Sequence, residues 1–171
     1  FVHNLGAVDK TGNTGFLMLG YDDIYSIEYM YERYMGYWKH EGKVSIFDAF
    51  EKLRDNYLQI MQRCRMQDET IYDDALKAGG KQYAEICSAA YRQAISAHKL
   101  FTDKYGNLLF FSKENNSGGF INTVDVTYPS TPLFLTYNID LVKGMMTSIF
   151  DYNASKRWTK PYPAHDLGVY P

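Results

Sequence analysis

The chain has 171 residues, a formal net charge of −2 and a sequence pI near 6.1. That length suffices for one sizeable core, and that charge excludes the basic field needed for nucleic acid or an anionic membrane surface. No apolar run reaches the roughly 20 residues of a membrane-spanning helix.

Aromatics make up 16% of residues and include 16 tyrosines, a density that fits cores with wet edges and also sugar-binding clefts. Residues 1–19 read as an extended segment with a turn at Asp9-Lys10-Thr11-Gly12-Asn13. The short apolar run Phe16-Leu17-Met18-Leu19 suits a strand or the exit from a preceding β-rich domain. A helix is predicted from Tyr21-Asp22-Asp23, where carboxylates favour a helix start. It carries Ile24, Ile27, Met30, Tyr31, Tyr34 and Trp38 at helical spacing and ends at Gly42.

Ser45 is positioned to cap a second helix, with Ile46, Phe50, Leu53, Tyr57, Ile60, Met61 and Cys64 on one stripe. The stripe weakens through Ile71, Ala75 and Leu76, with a kink expected near residues 67–70. Gly79-Gly80 ends it, and a third helix presents Tyr83, Ile86, Cys87, Ala90, Tyr91, Ala94 and Ile95, giving an αα-hairpin. Cys64 and Cys87 fall on these stripes. With a rise of ~1.5 Å per residue their heights differ by roughly 12 Å, so two buried thiols are expected instead of a disulfide.

Leu100-Phe101 and Leu108-Leu109-Phe110-Phe111 flank a loop with Gly106 and Asn107, which predicts a β-hairpin. A polar loop, residues 113–119, leads into residues 120–128. Ser130 is placed to cap a short helix through Pro132-Leu133-Phe134-Leu135, and Asp140 to cap one containing Leu141, Val142, Met145, Met146, Ile149 and Phe150. Residues 153–171 read as loop. The four histidines are scattered, and no spacing matches a metal site or a phosphate loop, so neither a metal nor another cofactor is expected.

Three stretches carry a resemblance: residues 20–29 (GYDDIYSIEY), 119–130 (GFINTVDVTYPS) and 158–171 (WTKPYPAHDLGVYP), with Ala90-Tyr91-Arg92-Gln93-Ala94 between the first two. In that order they resemble the six-helical-hairpin domain of the glutaminase A family. The resemblance implies a mainly α fold, an α/α toroid of hairpins with a short β-hairpin. Residues 1–19 would be the extended link from a β-rich domain of the same chain, and residues 20–171 part of the helical domain. It also implies further helices after Pro171, so the toroid is expected to be incomplete, inactive alone and prone to self-association through exposed apolar stripes. A secreted or periplasmic location and hydrolysis of L-glutamine to L-glutamate and ammonia are likewise implied.

Hydrolysis at the mouth of such a toroid needs carboxylates and groups that orient substrate. Asp125 and Asp166 are the catalytic candidates. Asn122, Tyr128, Lys160, His165, Glu114 and Asn115 are the substrate-binding candidates, with Tyr170 as a further orienting group. Each has a structural alternative: Asp125 and Asp166 can bond nearby amides, His165 and Asp166 can form a turn, and Asn122 can cap one. Glu114 and Asn115 sit in a loop that suits solvated side chains. His98 suits a helix-end role, and Asp22 and Asp23 a helix start. The competing functions are a carbohydrate-active or carbohydrate-binding domain, suggested by loop Tyr, Trp and Asn, and a scaffold without chemistry. Either enzyme would have a small-molecule partner, glutamine or a sugar.

Overall fold

The computed structural model describes residues 2, 4–114 and 118–170. Among them are four α-helices and two antiparallel β-hairpins, a mainly helical architecture as the sequence implies. Among the described residues up to Tyr25 the backbone forms no strand or helix, and Phe16, Leu17 and Leu19 are exposed.

The helix expected over residues 21–38 does not form. Strands β1 (Ile27–Tyr29) and β2 (Glu32–Tyr34) pair instead, with Ile27 opposite Tyr34 and Tyr29 opposite Glu32, and a single 3-10 turn (Tyr37–Lys39) follows. Ile27 and Tyr34 are spaced to share a helix face, but Ile27 and Tyr29 also alternate as in a strand, and tertiary packing selects the strand. Asp22 and Asp23 start no helix. Asp22 accepts from Lys39 Nζ through both oxygens, at 2.8 and 2.7 Å, and Asp23 accepts from Lys99 Nζ at 2.8 Å.

Helix α1 (Ile46–Asp55) begins as expected. Ser45 Oγ accepts from Asp48 N while Asp48 accepts from Ser45 N, a reciprocal cap. The break comes at Asn56 and not at residues 67–70. Helix α2 (Tyr57–Ser96) then runs to Gly80, whose φ of 78° reverses the chain. The two arms face each other along Ile71, Ala75 and Ala84, all buried. Beyond that seam the stripes are open: Cys64 is exposed and Cys87 half-buried, so the thiols are free but not sequestered.

Strands β3 (His98–Thr102) and β4 (Leu108–Ser112) form the expected hairpin, closed by Asp103, which accepts from the amides of Tyr105 and Asn107. Helix α3 (Val124–Tyr137) starts six residues before Ser130, after Thr123, and contains Pro129 and Pro132. Hydroxyls also bond the backbone here, Ser130 Oγ donating to Val126 O and Thr127 O and Thr131 Oγ1 to Thr127 O, while the carbonyls that lose an amide to the prolines are those of Asp125 and Tyr128. Helix α4 (Ile139–Ala154) is capped by Asn138, whose side chain accepts from Asp140 N at 3.2 Å; Asp140 itself lies in the first turn.

Helix α4 lies directly on β4. A Cβ at Gly144 would fall 2.9 Å from Leu108 O, so the missing side chain permits this approach. One core cluster holds Ile27, Tyr29, Phe101, Leu109, Phe111 and Ile121, and a second holds Phe110, Phe134, Val142 and Met145. The strands thus sandwich between the first hairpin and the last two helices.

His98 sits where α2 passes into β3. Its Nδ1 donates to Ala94 O at 2.5 Å, its ring stacks on Phe110 at 4.2 Å, and its Nε2 is buried without a partner among the described residues. The expected helix-end role therefore holds for the hydrogen bond, but the ring stays neutral. Burial pushes its pKa below the usual 6.5, against the opposing pull of the Ala94 carbonyl. The unfolded chain binds more protons at this site, so its stabilising contribution is complete above pH 6.5 and is lost as pH falls through the window below it. Urea midpoints should therefore drop between about pH 7 and about pH 5.5 more steeply in the wild type than in His98→Phe.

Candidate active site

The two distinctive loops lie side by side because their backbones are bonded. Segment 119–124 runs between 112–114 and 165–170. Asn122 N donates to Ser112 O at 2.8 Å, Ile121 N to Gly168 O at 2.9 Å, Leu167 N to Ile121 O at 3.0 Å and Val124 N to His165 O at 2.8 Å. The last bond sets His165 beside the first turn of α3, where Asp125 projects. Ala164, buried, donates its amide to Asn153 Oδ1 and anchors the approach to this turn.

His165 is held between two carboxylates. Its Nδ1 lies 3.0 Å from Asp166 Oδ2 and its Nε2 lies 3.5 Å from Asp125 Oδ1. Asp166 is the fixed member: its other oxygen accepts from Gly168 N at 2.8 Å and its side chain is 22% exposed, against 74% for Asp125. Gly168 has a φ of 102°, which a side chain would strain, so glycine is what lets this turn close on Asp166. The hydrogen bond that His165 Nδ1 donates to Asp166 raises the pKa of His165, aided by the charges of Asp125, Asp166 and Glu114. An imidazolium is thereby favoured at a solvent-facing site.

Glu114 borders this group. Its carboxylate accepts from Thr123 Oγ1 at 3.3 Å and from Gly118 N at 3.2 Å, so it is engaged with the loops and not merely solvated. Asn122 is placed differently: it is fully buried, its Nδ2 donating to Met145 O at 2.7 Å and to Ser148 Oγ at 2.8 Å. Its amide thus ties the loop to α4. Tyr128 and Lys160 are exposed, and no hydrogen bond or ion pair among the described residues joins them to His165. Asn115 lies outside the described residues. Tyr170 carries Lys113 Nζ over its ring at 4.0 Å. No group of three or more His, Cys, Asp or Glu among the described residues is arranged to hold a metal, and no helix there is long and apolar enough to cross a membrane.

Sequence reasoning missed Thr123, which holds the cluster through Glu114. The turn after His165, with Asp166 bonding a nearby amide, was among its readings, and the amide is that of Gly168.

Residues 80–171 match the family model described as the glutaminase A six helical-hairpin domain, and residues 1–74 match one described as a domain of unknown function. The match to the helical-hairpin model begins at Gly80, and the first core cluster draws Ile27 and Tyr29 from one matched region and its remaining members from the other. The chain is similar to a protein named Glutaminase A from Aspergillus oryzae, 31% identical over 122 residues that cover 71% of this chain and 18% of that protein. It is also similar to a protein named Probable glutaminase from Arthroderma benhamiae, 31% identical over 97 residues, 57% of this chain and 11% of that protein. The chain therefore spans less than a fifth of either curated relative. No solved structure matches it. By its family model and by these relatives, the chain belongs to the glutaminase A family, with residues 80–171 in the six helical-hairpin domain.

Proposed function

We infer that the protein belongs to a secreted amide hydrolase acting on L-glutamine, and that the Asp125–His165–Asp166 group is its reacting centre. The observation that carries this is the histidine gripped from both sides, with the less exposed carboxylate on Nδ1 and the more exposed one facing Nε2. Relatives named as glutaminases supply the substrate.

Asp125 takes a proton from water as its oxygen attacks the side-chain amide carbon. The protonated His165 gives a proton to the departing nitrogen, the C–N bond breaks, and ammonia and glutamate result. The proton then passes from Asp125 back to His165 across their 3.5 Å contact. Asp166 acts through His165, fixing its ring. Glu114 adds negative charge that favours the imidazolium.

Ammonia release from L-glutamine should be measurable and should fall by about 10²–10⁴ in Asp125→Asn, as expected for loss of a general base. Wild-type protein that releases no ammonia but gains melting temperature with oligosaccharide would move the function to carbohydrate. Full activity in Asp125→Asn would make this loop structural.

A further inference from the structure

Asn153-Ala154-Ser155 is an Asn-X-Ser tripeptide with no proline at its centre, the order that an oligosaccharide transferase reads for N-linked glycosylation. Asn115-Asn116-Ser117 is the other such tripeptide in the chain, and it lies outside the described residues. So short a pattern also arises by chance, and the surroundings of Asn153 decide whether a sugar fits there.

Asn153 stands in the last turn of α4, just before the backbone becomes extended at Ser155. Its Oδ1 accepts from Ala164 N at 3.0 Å, which fixes the amide plane. Its Nδ2 donates to no group among the described residues and is not buried, so water reaches it. A glycan is joined through that nitrogen and leaves the oxygen free to accept. The bond to Ala164, and with it the approach to the His165 turn, survives attachment.

The helix surface beside Asn153 is apolar and uncovered. Phe150, at i−3, is 61% exposed and Met146, at i−7, is 42% exposed, a spacing that puts both on the face of Asn153. Val142, Met145 and Ser148 supply the buried side of α4, so the exposed pair does not serve the core. Helical side chains lean towards the N-terminus, and a group on Asn153 therefore reaches back over the turn that carries Phe150.

We propose that Asn153 carries an N-linked glycan whose first N-acetylhexosamine rests its C–H face on Phe150. In the transfer, Nδ2 bonds to the anomeric carbon of a lipid-pyrophosphate-linked oligosaccharide. The bond from that carbon to the pyrophosphate oxygen breaks, the nitrogen gives up one proton, and the lipid pyrophosphate departs. The transferase takes the chain before it folds, so the later bond from Ser155 Oγ to Tyr152 O does not compete. Stacking on the ring then removes apolar surface from water without any protein neighbour. The modification rests on the secreted reading above, because only a chain that enters a secretory compartment meets the transferase.

The full chain, secreted behind a cleavable leader from a fungal host, tests the site. Enzymatic release of N-glycans in heavy-oxygen water turns a glycosylated asparagine into labelled aspartate, and the label should fall on position 153. Asn153→Asp, which keeps the acceptor for Ala164 N, and Ser155→Ala should each lose one glycan. Ser155→Thr should keep it, and Asn115→Gln should leave the label at position 153 in place. In the Asn115→Gln background, Phe150→Ala should lower the melting temperature by about 2–4 °C more in the secreted form than in the unglycosylated form made in bacterial cytosol. Secreted chain without label at position 153 overturns the proposal, and equal shifts for Phe150→Ala in the two forms overturn the stacking. A parent protein retained inside its source cells would remove the secreted reading, while a glycan at position 153 on the leader-borne chain would still stand.

Discussion

Asn122→Ala should lower the stability of the protein by roughly 2–4 kcal/mol, a large loss for one polar side chain. The residue is fully buried, and its amide nitrogen donates both to a backbone carbonyl and to a hydroxyl on α4, while its oxygen accepts from Thr127 Oγ1 at 3.3 Å. Alanine strands Met145 O and the buried Ser148 hydroxyl without water to replace the donor. It also meets a φ of 51°, which asparagine tolerates better than alanine. Asn122→Asp is a sharper version, since it keeps the shape and removes the donor, setting a carboxylate against Met145 O. Guanidinium titrations should show a lower midpoint with an unchanged slope for alanine. A midpoint within about 0.5 kcal/mol of the wild type would mean the loop is not held to α4 through this amide.

Asp166→Asn should reduce ammonia release by about 10²–10⁴, although Asp166 touches no substrate in the inferred chemistry. The asparagine keeps the volume and the oxygen that accepts from Gly168 N, so the turn survives. What is lost is the charged partner of His165 Nδ1, the leading cause of its raised pKa. Activity that requires the imidazolium falls as pH rises through that pKa, so this limb should move to lower pH in the variant, towards the ordinary value near 6.5. A purely structural role would lower the rate without moving the limb.

The elements legible in the sequence are those whose turns announce themselves. Gly79-Gly80 marks a reversal that only a positive φ can make, and Asp103 to Asn107 carries the side chains that close a hairpin, so the αα-hairpin and β3–β4 follow from local chemistry. The first hairpin was hidden because its turn is Met30-Tyr31, residues that give no turn signal although both adopt a positive φ. Its pairs are also few, so the Ile and Tyr spacing fitted a helix equally well. The early start of α3 was masked by Pro129 and Pro132, which remove two helix donors and argue against a helix through this stretch.

The buried thiols failed for a different reason. An apolar stripe states which face could be covered, while burial requires a neighbour, and Cys64 stays exposed and Cys87 only half-covered. At the candidate site, His-Asp adjacency was weak evidence by itself. The convergence of residues 125 and 165–166 comes from the Val124–His165 backbone bond, a contact forty residues apart that no local pattern encodes. Asn122 illustrates the converse: a polar residue inside a distinctive motif is read from sequence as available, and only the fold shows its amide turned into the core.

The reading of His165 and its two carboxylates as one reacting unit is tested most directly by comparing kcat/KM for L-glutamine in the wild type, in Asp125→Asn, in Asp166→Asn and in the double variant. Groups that act together lose most of their effect with the first removal, so the double variant should be little worse than the poorer single one. Losses that simply multiply, or a double variant as active as the wild type, would contradict a shared centre at these loops.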